Sequence, residues 1–332
     1  MDLLRLVEYC GTGRSRAKQL NEVLHWIDQS TKDQMLDPNQ VWVAVYDADS
    51  RPHPKTFDYF LWKIQKNKEL KAFQQTIDYR LNEKSLIKNP TLWANSIHHT
   101  ARCYLSEIPL FLNSNARIQK GKKSNYPPYY MGHGEFIRLD LLKQVGGFPN
   151  EGFCDGIQLG FVVTLCDQAT EIIPYPDFCE SPASLSSMIE QHSMWFTGLL
   201  SVFSHILRNK KGSLLALRQC LFYLGQSTIW FICPLFFFTL FLACFHQFLG
   251  NPFAIISFIL ISGSILAYIR LIGRVSLELD KTFSREGVGA IKSWGWVILS
   301  ISARSIGPWV SIFRLLKRKV FNHPLNFRKM PR

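Results

Sequence analysis

Apolar residues recur at helical spacing between Arg14 and Ile27. Ala17, Leu20, Val23, Leu24 and Ile27 fall three or four residues apart, which predicts one amphipathic helix. Val41 to Tyr46 is a continuous apolar run and predicts a buried strand. Pro54 to Lys68 predicts a helix, 73–81 a second strand, and Thr91 to Ser106 further helix. Gly121-Lys122-Lys123-Ser124-Asn125 reads as a polar loop. Phe136 to Val145 reads as a short strand and a helix stopped by Gly146-Gly147. Strands alternating with helices predict an α/β domain.

Beyond Leu214 the pattern changes. Leu221 to Phe245 is almost unbroken apolar sequence without a charge, long enough for the ~20 residues that cross a bilayer. Pro234 within it predicts a kink. Pro252 to Ile269 is a second candidate span, and Trp294 to Phe313 a weaker third, carrying Arg304 and Gly307-Pro308. The expected division is a catalytic domain at 1–187 and an amphipathic interface helix and linker at 188–218. A membrane region follows at 219–316, then a basic tail at 317–332.

Charge supports that picture. The chain of 332 residues carries a formal net charge of +13. Its basic clusters flank the apolar stretches: Arg208, Lys210, Lys211 and Arg218 before the first, Arg270, Arg274, Lys281, Arg285 and Lys292 after the second. That placement suits an anionic membrane surface better than nucleic acid, and no nucleic-acid module is recognisable. By the positive-inside tendency both flanks are cytoplasmic. The eight cysteines form no Cys-x-x-Cys pair, so neither a zinc ribbon nor a disulfide framework is indicated.

Chemistry-bearing residues stand out at four places. The strand at 41–46 runs into Asp47-Ala48-Asp49. In an extended chain residues i and i+2 face one side, so two carboxylates can face one hard cation such as Mg²⁺ or Mn²⁺. An acidic turn is the plain reading. Gly132-His133-Gly134-Glu135-Phe136-Ile137-Arg138 precedes Val145-Gly146-Gly147-Phe148-Pro149. Its glycines allow a close backbone approach to a ligand, or merely a loop and a capping turn. Asp155 stands at the start of an apparent helix, as a general base or an N-cap. Gln191 and Trp195 are i and i+4 on one helix face, where the Trp also suits a membrane interface.

The order and spacing of these motifs resemble the membrane-integrated branch of glycosyltransferase family 2, the cellulose-synthase-like and ceramide-glucosyltransferase-like enzymes. The resemblance covers about residues 11–205 and the layout that follows. It implies a GT-A-like fold, N-terminally incomplete here, followed by transmembrane helices. It implies inverting transfer from a nucleotide-sugar, expected to be a UDP-sugar, to a glycan or lipid-linked acceptor. The enzyme is then an integral membrane protein among lipids, its catalytic domain cytoplasmic. By resemblance, Asp47 and Asp49 hold a divalent metal, Mg or Mn, and Asp47 also contacts the donor. Asp155 is the base, Gln191 and Trp195 match the ends of Gln-x-x-Arg-Trp, and Lys18 and Asn21 match a Lys-Ala-x-x-Leu-Asn segment near the donor. Cys154 stands where the family usually has Glu, and Met194 where it has Arg. The competing expectation is an impaired or truncated relative acting as a membrane binding or assembly protein.

Overall fold

The computed structural model describes residues 15–124, 128–150, 154–208, 214–246, 252–283 and 294–321. The elements in chain order begin with α1 (Arg16–Asp33), β1 (Trp42–Val45), β2 (Arg51–Pro52), α2 (Thr56–Lys66) and β3 (Ala72–Asp78). Next come α3 (Glu83–Leu86), α4 (Pro90–Arg102), a π-helical turn at Cys103–Glu107, and α5 (Ile108–Ile118). Then follow β4 (Glu135–Arg138), α6 (Leu139–Val145), α7 (Asp155–Leu165) and β5 (Glu171–Phe178). The C-terminal part holds α8 (Leu185–Arg208), α9 (Leu214–His246), α10 (Pro252–Thr282), α11 (Trp294–Arg304) and α12 (Ile306–Phe321). The expected elements are found with shifted ends; α5 and β5 were not expected. Asn125, the end of the expected polar loop, lies outside the described residues.

The chain divides into two compact units that do not follow the expected boundaries. One comprises Met1–Thr76, Ile108–Asp177 and Gly198–Cys220; the other comprises Ile77–Glu107, Phe178–Thr197 and Leu221–Arg332.

The first unit is built on a five-stranded sheet of order β1-β4-β3-β5-β2. β4 runs antiparallel to both neighbours, with Val45 opposite Glu135 and Phe73 opposite Phe136. Side chains alternate across a strand, so each strand serves two cores. Val43, Val45, Ala72 and Ile137 face one way and pack with Ala17 and Leu24 of α1, Leu142 of α6 and Leu159 of α7. Phe73, Phe136 and Ile173 face the other way and pack with Phe60 of α2. β1 is an edge strand with Ala44 exposed, so it alternates instead of being buried throughout. Glu135 shares its face with Ile137, and that parity aims it at the α1 side.

Two glycines in α7, Gly156 and Gly160, let the helix lie directly on the 128–132 backbone. A Cβ at Gly156 would come 2.6 Å from the Tyr130 carbonyl oxygen. The Tyr130 N–H instead donates to the Gly156 carbonyl at 3.1 Å. The turn after α6 is closed by Gly146 in the left-handed region, as the Gly-Gly signal predicts.

In the second unit Leu92, Trp93 and Ile97 of α4 pack with Met188, Ile269, Ile272 and Val297. Among the described residues one helix is long and apolar enough to cross a membrane, Ile255–Thr282. It extends well past the expected end at Ile269. α9 is 33 residues long. The expected third segment, 294–313, is two helices rather than one, broken at Ser305. Pro308 explains the break. It lacks an N–H and is tolerated in the first turn of a new helix but not within an old one.

Candidate active site

α1 starts at Arg16, and its guanidinium reaches carboxylates from two other elements. Nη1 donates to Asp155 Oδ2 at 2.8 Å. Nη2 lies 3.6 Å from Asp47 Oδ1 and also donates to the Gly132 carbonyl. Burial works against the Arg16 charge, but Asp155, Glu135 and Asp47 outweigh it and raise its pKa. Asp155 is the first residue of α7 and not its cap. A carboxylate in that first turn also faces the positive end of the helix dipole.

Glu135 lies beneath this group, almost fully buried, accepting from the Gly132 N–H at 2.7 Å. Burial, opposed by the Arg16 charge and aided by Asp155, pushes its carboxyl up to about 7. The neighbouring Cys154 thiol is driven up to about 12 by burial and then by Asp155. Such a thiol stays protonated at neutral pH. It packs where Gly198 of α8 leaves room, since a Cβ there would stand 2.5 Å from its sulfur.

A buried strut fixes the loops that carry these groups. Asp177, near the end of β5, accepts from Ser50 Oγ at 2.7 Å and pairs with His133 Nδ1 at 2.7 Å. Ser50 in turn accepts from the Asp47 N–H at 3.2 Å. One carboxylate thus ties the turn after β1 to the loop before β4. Burial alone would lower the His133 pKa; the bond and charge of Asp177, with Asp47 and Glu135, raise it instead.

The expected residues divide into three groups. Asp47, Asp49 and Asp155 belong to the first unit, and Asp47 and Asp155 meet at Arg16. Asp47 and Asp49 are not presented by an extended strand. The chain turns at 47–50, with the Ser50 N–H donating to the Asp47 carbonyl at 3.0 Å, so strand alternation does not place Asp49. Asp49 is half-buried and, among the described residues, forms no hydrogen bond or ion pair.

The second group is Lys18 and Asn21. Lys18 is exposed on α1, and Arg16 takes the place beside the carboxylates. Positions two apart on a helix diverge by about 200°, so both cannot serve. Asn21 is a clamp: its Nδ2 donates to the Phe148 carbonyl at 2.7 Å and its Oδ1 accepts from the Phe148 N–H at 2.8 Å. It holds the Gly-Gly-Phe-Pro turn against α1.

The third group, Gln191 and Trp195, belongs to the second unit on α8. Gln191 is half-buried. The Trp195 ring stands edge-on to His99 and His192, 5.2 Å from each centroid. His99 and His192 face each other at 3.2 Å between Nε2 atoms, and burial drives both imidazoles well below their usual range. His98 accepts from Arg304 at Nδ1, so its Nε2 carries the proton donated to Tyr268 Oη at 2.7 Å. Arg16 and Asp177 carry no motif of their own in the sequence, whereas His133 and Glu135 lie in the glycine-rich 132–138 motif, whose glycines and not whose charges suggest a ligand.

A search of the solved structures found the mannosyltransferase PcManGT from Pyrobaculum calidifontis, in complex with GDP-Man and Mn²⁺. The likeness has a TM-score of 0.41 and 11% identity, covering 90% of this chain and 67% of that one. No curated protein matched. The sequence model of the glycosyl transferase family group 2 matches residues 42–271, more than half of the chain and spanning both Asp47 and Asp155. The chain belongs to that family, and it is a glycosyltransferase.

Proposed function

We propose that the chain is a membrane-bound inverting glycosyltransferase with a GT-A-like catalytic domain. It moves a sugar from a nucleotide-sugar donor to a hydroxyl of a glycan or lipid-linked acceptor, on the cytoplasmic face. The observation that supports this best is the convergence of Asp47 and Asp155 on Arg16, within the segment that matches the family.

Asp155 is the base. Its carboxylate accepts the acceptor hydroxyl proton while the acceptor oxygen bonds to the anomeric carbon. The bond from that carbon to the diphosphate breaks, and its electron pair leaves with the diphosphate. A positioned base contributes typically 10²–10⁴-fold. Attack from the face opposite the leaving group inverts the configuration.

The residues present suit a divalent metal. Asp49 offers a free carboxylate, and Asp47 is held only loosely, 3.6 Å from Arg16. Among the described residues no three metal-binding side chains cluster, in keeping with a site that borrows phosphate oxygens from its ligand. A cation bound there by Asp47 and Asp49 would act as a Lewis acid toward the leaving diphosphate. Ser50 and Asp177 hold the turn from which both carboxylates project.

Membrane attachment rests on Ile255–Thr282 and on the basic clusters that flank the apolar stretches. The purified full chain in lipid nanodiscs, given Mn²⁺ and a panel of UDP- and GDP-sugars, is expected to release nucleoside diphosphate from one donor. NMR of the product should show the anomeric centre inverted. EDTA or Asp49→Ala should abolish release. Retention of configuration, or turnover indifferent to both treatments, would overturn this mechanism.

A further inference from the structure

The arginine at the start of α1 has a geometry that neither the base nor the metal ligands account for. Its guanidinium is a planar fork of five donors, able to hold two carboxylates at once in a way an ammonium cannot. One arm is committed: Nη1 to Asp155 at 2.8 Å. The other is shared between the Gly132 carbonyl and Asp47, the latter at 3.6 Å, beyond a hydrogen bond. The side chain remains one-third exposed, so it has room to adjust. The arginine therefore touches the proposed base firmly and the proposed metal ligand weakly.

We infer that Arg16 is a positioning residue that competes with the divalent metal for Asp47 while orienting Asp155, and so couples metal loading to the aim of the base. The inference rests on the roles given to Asp47 and Asp155 above. Its physical basis is simple. A divalent cation at Asp47 and a guanidinium 3.6 Å from the same carboxylate repel each other, and the weaker contact yields. The 2.8 Å contact to Asp155 stays, so the base keeps its orientation after the metal arrives. Arg16 reports on both sites without itself touching the reacting atoms.

Two substitutions separate its two contributions. Arg16→Met removes the competing charge and the fork. Arg16→Lys keeps a charge but loses the fork. The readouts are binding of Mn²⁺ alone, followed by electron paramagnetic resonance without donor, and kcat with saturating metal and donor. Thermal unfolding confirms that each variant is folded. For Arg16→Met, Mn²⁺ should bind several-fold more tightly while kcat falls at least tenfold. For Arg16→Lys, Mn²⁺ affinity should return toward the wild-type value while kcat stays low. A merely structural arginine would weaken metal binding and activity together. If Arg16→Met binds Mn²⁺ no more tightly than the wild type, or keeps its kcat, the inference is overturned. The underlying reading is tested separately. If Asp47→Ala and Asp49→Ala bind Mn²⁺ as well as the wild type, the metal assignment itself fails, whatever the Arg16 variants show.

Discussion

Arg16 and Arg80 each sit between two aspartates, and the contrast between them separates a site from a lock. Arg80, in the second unit, is almost completely buried. Its Nε and Nη2 meet the two oxygens of Asp78 at 2.9 Å each. Its Nη1 donates to Ser276 and Asp280 of α10 at 2.8 Å each. Every arm is short and occupied, and the network fastens the end of β3 to a long helix. Arg16, in the first unit, is half-open, with one short carboxylate contact and one long one. Beside it stands Glu135, whose carboxyl burial pushes up to about 7. A saturated cluster has nothing left to give a ligand; an unsaturated one does. Charge alone does not distinguish the two clusters; the unfinished pairing beside Asp47 and Asp155 does, and the proposed chemistry is placed there.

The contrast can be broken or sharpened by substitution. The largest effect on stability is expected from Arg80→Met, which strands the buried Asp78 charge. Breaking such a pair costs about 3–5 kcal/mol, to be read from thermal or denaturant unfolding. A loss below about 1 kcal/mol would show that the Arg80 network is not a lock. Gly147→Ala should cost about 1–3 kcal/mol. Gly147 has φ +85°, and a Cβ there would meet Asn21 Oδ1 at 2.5 Å, so the clamp on the Gly-Gly-Phe-Pro turn must open. An unchanged unfolding midpoint would remove Asn21 from that role.

A pH dependence comes from two groups of the first unit. The Glu135 carboxyl rises from 4.5 to about 7 on folding, so folding is favoured while it is protonated, and the advantage is lost as pH rises through that window. His133, raised above 6.5 by Asp177, acts in the same sense: its stabilisation is complete below 6.5 and lost as pH climbs through its folded value. Measured against the wild type, Glu135→Gln should therefore gain stability as pH rises from about 5 to about 8, whatever opposite slope the buried His99 and His192 of the second unit add to both. An identical slope in the variant would show that Glu135 is not the buried, near-neutral group described here.

Much of the first unit is legible in the sequence because its signals are local. The three- and four-residue spacing from Ala17 to Ile27 gives α1, and the apolar run before Asp47 gives β1. Gly146-Gly147 ends α6 where expected. β5 escapes because Pro174 and Pro176 lie within Glu171–Phe178, and prolines argue against a strand. With β5 goes Asp177, and with Asp177 the strut that ties the turn after β1 to the loop before β4. Arg16 escapes for another reason. In Arg16-Ala17-Lys18-Gln19-Leu20-Asn21 two basic residues stand two apart, and it is Arg16 that lies beside Asp47 and Asp155. Matched position by position, the Lys-Ala-x-x-Leu-Asn pattern puts its basic residue at Arg16. The pairing of Arg80 with Asp280 joins residues far apart in the chain, and nothing local announces it.

The central claim is that the open cluster around Arg16 carries the chemistry, with Asp155 as its base. The most direct test is the rate of nucleoside diphosphate release per folded molecule for Asp155→Asn beside the wild type, at saturating Mn²⁺ and donor with acceptor present. The account predicts a fall of at least ~100-fold with the unfolding midpoint little changed. A rate within a few-fold of the wild type would contradict it.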